Sequence, residues 1–221
     1  MPLKCALNAI REELNIGLLS CCREFSISNF FFPDFATDYF MPVAMPDGKI
    51  LVLKQSRAKT ARFVLIDPEK KEQDLIAIGY QEQPWFSYAK GKVVWDEIRY
   101  DPRFRQRSYS VICTYDIATG KKTVLTHRSR IFSPSLSPDG TKIIAVSVDL
   151  SNTASLVEIN ATTGRIDFSY PNPEKLMLQT PSYSSSKEQI TYVSVSEQGK
   201  SLWIADKSGK KKLLTCSNNL S

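Results

Sequence analysis

The stretch Ser133–Ser147, SPSLSPDGTKIIAVS, carries in order a proline, a Ser-Pro-Asp-Gly turn and an apolar run. The same outline recurs at Met41–Gln55 (MPVAMPDGKILVLKQ), Gln83–Glu97 (QPWFSYAKGKVVWDE) and Thr180–Ser194 (TPSYSSSKEQITYVS). Each copy opens on a proline (Pro42, Pro84, Pro134, Pro181), and the turns follow at Asp47-Gly48, Lys90-Gly91, Asp139-Gly140 and the degenerate Lys187-Glu188. Glycine at such a turn takes a positive φ without steric cost, and Asp bonds its own backbone. A short strand follows each time: KILVL, KVVWD, KIIAVS and QITYVS.

The second half of each unit also repeats. RFVLIDPEKK, SVICTYDIATGKK, SLVEINATTGR and SLWIADKSGKK are each an apolar strand, an Asp or Asn, a turn and a basic residue. The markers Asp67, Asp116, Asn160 and Asp206 lie 49, 44 and 46 positions apart. Four short strands and two tight turns per unit make an antiparallel meander that cannot bury both faces alone. Stacking the meanders radially solves this, and a period of roughly 46 residues is that of a propeller blade. A solenoid or two sandwiches would also use short strands, but this two-part period favours the propeller.

The expected fold is therefore all-β: a β-propeller of four four-stranded antiparallel blades at about 36–80, 81–130, 131–177 and 178–217. Residues 1–35 stand outside the repeat, and Leu3, Ala6, Leu7, Ile10, Leu14 and Leu18 are spaced for a short amphipathic helix. Trp85, Trp95 and Trp203 fall on expected strands and are assigned to packing between blades.

The pattern P-x-x-S-P-D-G-x-K-I, then a strand, then D-x-x-T-G-x-x-x-x-L-T, resembles the WD-like repeat of TolB-type β-propellers. Pro134, Ser137, Pro138, Asp139, Gly140 and the later Thr163-Gly164 carry it in the third blade. Asp116, Thr119, Gly120, Leu125 and Thr126 carry it in the second. WDEIRYDPRFRQRSYSVICTYD, residues 95–116, is similar to the propeller part of large exported TolB-like bacterial proteins. The resemblance covers about residues 36–217 and implies a periplasmic or cell-envelope parent. Such propellers have six or more blades, so four imply part of a larger one.

Charge and cysteine usage narrow the chemistry. The 42% hydrophobic and 24% charged composition is that of an ordinary globular chain, and no apolar run reaches the roughly 20 residues that span a bilayer. Arg11, Glu12 and Glu13 interrupt any signal-peptide core. The five cysteines (Cys5, Cys21, Cys22, Cys113, Cys216) have neither metal-site spacing nor disulfide regularity, and Cys113 reads as a small core residue. There is no G-x-S-x-G, H-E-x-x-H or phosphate loop, and the single histidine, His127, sits in a connection. Asp96, Glu97 and Asp101 raise a glycosidase or calcium idea, but pairing with nearby arginines accounts for them more economically. No cofactor, metal, nucleic-acid contact or membrane insertion is expected.

What remains is a binding surface. Six of the eleven arginines lie between Arg99 and Arg130, although the net charge is only +6. In the second blade the loop between the second and third strands is the longest of its kind, with Arg99, Tyr100, Arg103, Phe104, Arg105 and Arg107 in or beside it. The connection to the next blade holds Arg128 and Arg130, and the meander puts both on one face of the ring. The expected partner is a protein or peptide with an acidic segment. The alternative is the substrate-gating propeller of a peptidase whose catalytic domain lies outside this chain, as in the prolyl oligopeptidase family.

Overall fold

The structure, a computed structural model, describes residues 36–104, 106–185, 189–197 and 199–217. The expected N-terminal helix, the Lys187–Glu188 turn and Arg105 lie outside these residues. The first blade comprises β1 (Thr37–Ala44), β2 (Ile50–Ser56), β3 (Arg62–Ile66) and β4 (Glu72–Ala77). The second comprises β5 (Ser87–Ala89), β6 (Lys92–Tyr100), β7 (Ser108–Asp116) and β8 (Lys121–Val124). The third comprises β9 (Ile131–Leu136), β10 (Lys142–Val148), β11 (Ala154–Asn160) and β12 (Ile166–Tyr170). The fourth comprises β13 (Met177–Tyr183), β14 (Ile190–Ser196), β15 (Gly199–Ala205) and β16 (Lys210–Ser217). Each sheet holds four consecutive strands in chain order, all antiparallel. Among the described residues no strand is exchanged between blades.

The repeated marker residues explain the outer hairpins. Asp67 Oδ1 accepts from Lys71 N at 2.8 Å, and Asp116 Oδ1 from Thr119 N and Oγ1 at 2.8 and 2.9 Å. Asn160 Oδ1 accepts from Thr162 N and Thr163 N, both at 3.0 Å, and Asp206 Oδ1 from Ser208 N and Gly209 N at 2.7 and 2.8 Å. A short acceptor at the end of the third strand thus occupies N–H groups that the turn leaves without a ladder partner.

The aligned prolines have a different role. Met41, Ser133 and Thr180, each immediately before one, take φ of 50°, 50° and 45°. The pairing register shifts at the same places on β1, β9 and β13. A residue before proline is ordinarily extended, so this is local strain held inside a β-bulge on the first strand of the blade.

Alternation across each sheet sends neighbouring residues into different cores. Leu51, Leu53 and Phe63 meet Phe86, Val93 and Trp95 between blades one and two. Val94 and Ile112 meet Ile143, Ala145, Val157 and Ile159 between blades two and three. Ile144, Val146 and Leu156 meet Leu178, Ile190 and Tyr192 between blades three and four. Trp95 is wholly buried, edge-on to Phe63 at 5.1 Å. Trp85 donates its indole N–H to Pro134 O of the next blade at 3.1 Å. Cys113 is buried, which pushes its thiol up to about 12, as suits a core residue. Of the first strands, β9 contacts both β5 and β13, and the three line the inner side.

Two glycines separate conformational strain from crowding. Gly91 (φ 78°) has open space where a Cβ would sit, whereas a Cβ on Gly164 (φ 73°) would lie 2.2 Å from Leu125 O. Gly91→Ala should cost only the strain, about 1 kcal/mol. Gly164→Ala should cost at least about 2 kcal/mol more, because backbone must move. Urea unfolding of the two variants checks this, and equal losses would contradict the contact.

Candidate functional site

The long loop of blade two is built around Asp101. Its Oδ1 accepts from Arg103 N at 2.8 Å and Phe104 N at 3.3 Å, while Asp101 N donates to Arg107 O at 2.9 Å. Those N–H groups, Arg103's first, and then the charges of Arg128 and Arg107, hold its carboxyl below the usual carboxylate range against the effect of burial. The closed loop leaves Arg103 and Arg107 exposed, with Phe104 64% and Tyr100 58% exposed beside them.

The connection after β8 is pinned to the same end of the sheet. Ser110 N donates to Ser129 O at 2.7 Å and Ser129 N to Ser110 O at 3.1 Å, an isolated bridge beyond the ladder. Ser110 Oγ accepts from Ile131 N at 2.7 Å, and Thr126 Oγ1 from Ile112 N at 2.8 Å. Loop and connection therefore share a face, with Arg128 at φ 47° and near enough to Asp101 to depress it. His127 is exposed in the same connection.

The arginines divide by what they touch. Arg99 pairs with Glu97 at 3.2 Å. Arg130 donates to Asp149 O and to Asn152 Oδ1, both at 3.0 Å, and so secures the β10–β11 loop of blade three. Arg103, Arg107 and Arg128 form no ion pair with another described residue. The economical pairing of arginines with Asp96, Glu97 and Asp101 thus holds as an ion pair for Arg99 alone among the described residues.

Glu97 and Asp96 are neighbours on β6 with opposite surroundings. Glu97 faces blade one, where it accepts from Lys122 Nζ at 2.5 Å, Trp95 Nε1 at 3.0 Å and Gly79 N at 3.1 Å. Burial pushes its carboxyl up, but these donors outweigh burial and hold it down at about 2. Asp96 faces blade three and is 7% exposed; its carboxylate takes its own N–H and that of the bulged Ser133. Burial pushes it up to about 6 against those two bonds, and the charges of Glu82 and Glu97 add to the rise. Asp96 lines a cleft of about 560 Å³ between the inner strands, together with Glu82, Trp85, Phe132, Asn152 and Lys175. The sequence singled out Asp96 but not the cleft, because its walls come from three blades.

Among the described residues no cluster of three or more His, Cys, Asp or Glu could hold a metal ion, and no helix is long and apolar enough to cross a membrane.

The architecture is that of a β-propeller segment, and solved structures give the same answer. A protein of Agrobacterium tumefaciens described as a TolB superposes with a TM-score of 0.62 at 17% identity, covering 78% of this chain and 63% of its own. The β-propeller domain of the trilobed protease of Pyrococcus furiosus, described as an open velcro propeller, gives 0.55 at 9% identity, covering 81% and 58%. A prolyl endopeptidase gives 0.55 at 10% identity, covering 82% and 30%. These likenesses establish the fold, that of a β-propeller, and this chain spans less than two thirds of each. No family model matches the chain, and no curated protein matches it in sequence.

Glu97 provides a check on the electrostatics. Its folded value lies below its ordinary one of 4.5, so its stabilisation is complete above about pH 5 and disappears as pH falls towards 2. Glu97→Gln should lose about 3 kcal/mol at pH 7. The gap to the parent should close on acidification; a gap independent of pH between 7 and 2.5 would contradict the ion pair with Lys122.

Proposed function

We propose that the chain is a non-catalytic propeller module that binds protein or peptide, and that the loop face of blade two holds an acidic segment or chain-terminal carboxylate. The observation that carries this is the exposed set Arg103, Arg107 and Arg128, without an acid in ion-pair reach among the described residues and flanked by Tyr100 and Phe104. A guanidinium presents two parallel donors to a carboxylate, and an adjacent aromatic ring supplies apolar contact at little entropic cost. Arg105, which the sequence places between Arg103 and Arg107, lies outside the described residues.

The gating reading draws on the likeness to the prolyl endopeptidase propeller. Peptide hydrolysis by a longer parent, absent from this chain, favours gating. Hydrolysis by this chain itself contradicts both readings.

The basic face is tested with a capped dodecapeptide of alternating Glu and Gly, followed by fluorescence anisotropy at two salt concentrations. Replacing Arg103, Arg107 and Arg128 together by Ser should weaken binding at least tenfold and flatten its salt dependence, with little change in melting temperature. Arg130→Ser should do the reverse, losing about 1 kcal/mol of stability because it frees Asp149 O and Asn152, while peptide binding persists. A large fall in melting temperature in the triple variant, with binding intact, would make the three arginines structural.

A further inference from the structure

The four blades provide an internal control for every position. Counting from the residue that pairs with, or stands opposite, the turn marker, the fifth residues of KILVL, KVVWD, KIIAV and QITYV are equivalent: Leu53, Asp96, Val146 and Val193. In blades one and three this residue lies in the apolar core facing the next blade, and in blade four it is again apolar. Only blade two places a carboxylate there. A buried carboxylate without a counter-charge opposes folding, whereas a valine at the same place would favour it.

Asp96 receives backbone N–H groups only, and no described lysine, arginine or histidine forms an ion pair with it. It opens on the cleft, where Glu82 adds a second negative charge and the aromatic residues Trp85 and Phe132 are part of the lining. Buried carboxylate, second acid and aromatic lining residues together complement an organic cation: the carboxylates balance the charge, and aromatic rings favour a cation beside them. Lys175 also lines the cleft, but it is exposed and unpaired with Asp96.

We propose that this cleft is a binding site for the side chain of a lysine or arginine in a peptide segment, with Asp96 as its buried counter-ion. The proposal rests on the peptide-binding reading of the module but not on the basic loop. The cleft lies beside the connection that carries Arg128, because its Asn152 accepts a hydrogen bond from Arg130, two residues further on. A segment bearing a basic residue near an acidic one satisfies both.

Only the ionised form of Asp96 provides the counter-charge, and its carboxyl stands at about 6. The charged groups around it are Glu82 from the connection before β5 and Lys175 from the connection before β13, which line the same cleft, and Glu97, its neighbour on β6, which points to the opposite face. Cation affinity should be full at pH 7.5 and fall as pH drops through 6 to 5.

The experiment uses acetylated, amidated Gly-Arg-Gly and Gly-Gln-Gly, titrated into the intact chain by calorimetry. Expected are a clear preference for the arginine peptide at pH 7.5, a loss of at least tenfold at pH 5, and a similar loss in Asp96→Asn at pH 7.5. Asparagine retains an acceptor for Ser133 N–H, so this variant should stay folded. His127→Gln should keep the pH profile. No binding of the arginine peptide, equal binding of both peptides, or a preference unchanged in Asp96→Asn each overturns the site. The Arg103/Arg107/Arg128 triple variant should still bind the arginine peptide, so failure of the acidic dodecapeptide alone counts against the basic face and leaves the cleft standing.

Discussion

A β-sheet has two faces, and here both are apolar; that constraint organises the molecule. Val93 and Trp95 belong to the core shared with blade one, while Val94 between them belongs to the core shared with blade three. No blade can satisfy both sets of side chains alone, so each is stable only as a layer in a stack. Blade four shows what continues from this. Val193 and Leu202 are paired across β14 and β15 on the face opposite Ile190 and Tyr192, the pair that packs on blade three. Among the described residues no apolar cluster joins that face to blade one. A half-buried apolar sheet face of this kind is suited to a further blade.

Polar groups between the layers then fix the blades relative to one another. Glu158 on β11 accepts from Lys142 at 2.7 Å in its own blade, and lies 3.5 Å from Lys207 and 3.3 Å from Tyr183 Oη in the next. Leu136 N donates to Ser87 Oγ at 3.0 Å, joining the inner strands of blades two and three. Such bonds add little net stability each, but leaving one partner alone in the interior is costly, so they select one stacking geometry.

Much of this was legible in the sequence because its signals are local. The Asp or Asn at each marker bonds N–H groups two to four residues away, and the inner-hairpin turns at Asp47-Gly48, Lys90-Gly91 and Asp139-Gly140 each place a positive φ at glycine. The shared face of the long loop and the Arg128 connection also followed, since it depends only on strand order. The bulges did not, because the prolines mark them without revealing the strained residue before each. Nor did the partners of Arg130, 19 and 22 residues away, or the Lys122 partner of Glu97, 25 residues away. Distances of that kind are set by how layers stack.

The two charged regions of this face act at different ranges. Arg103 and Arg107 stand at a loop tip in water, where a charge is felt over roughly 8 Å at physiological ionic strength and each contact is weak. Asp96 is screened by protein rather than by salt, so its field is confined to the cleft but strong within it. An arriving segment would therefore be oriented first by the exposed arginines and held last by the buried acid. On the proposed reading, rate and residence would then fall to different residues, which would let one small face recognise a sequence rather than a net charge.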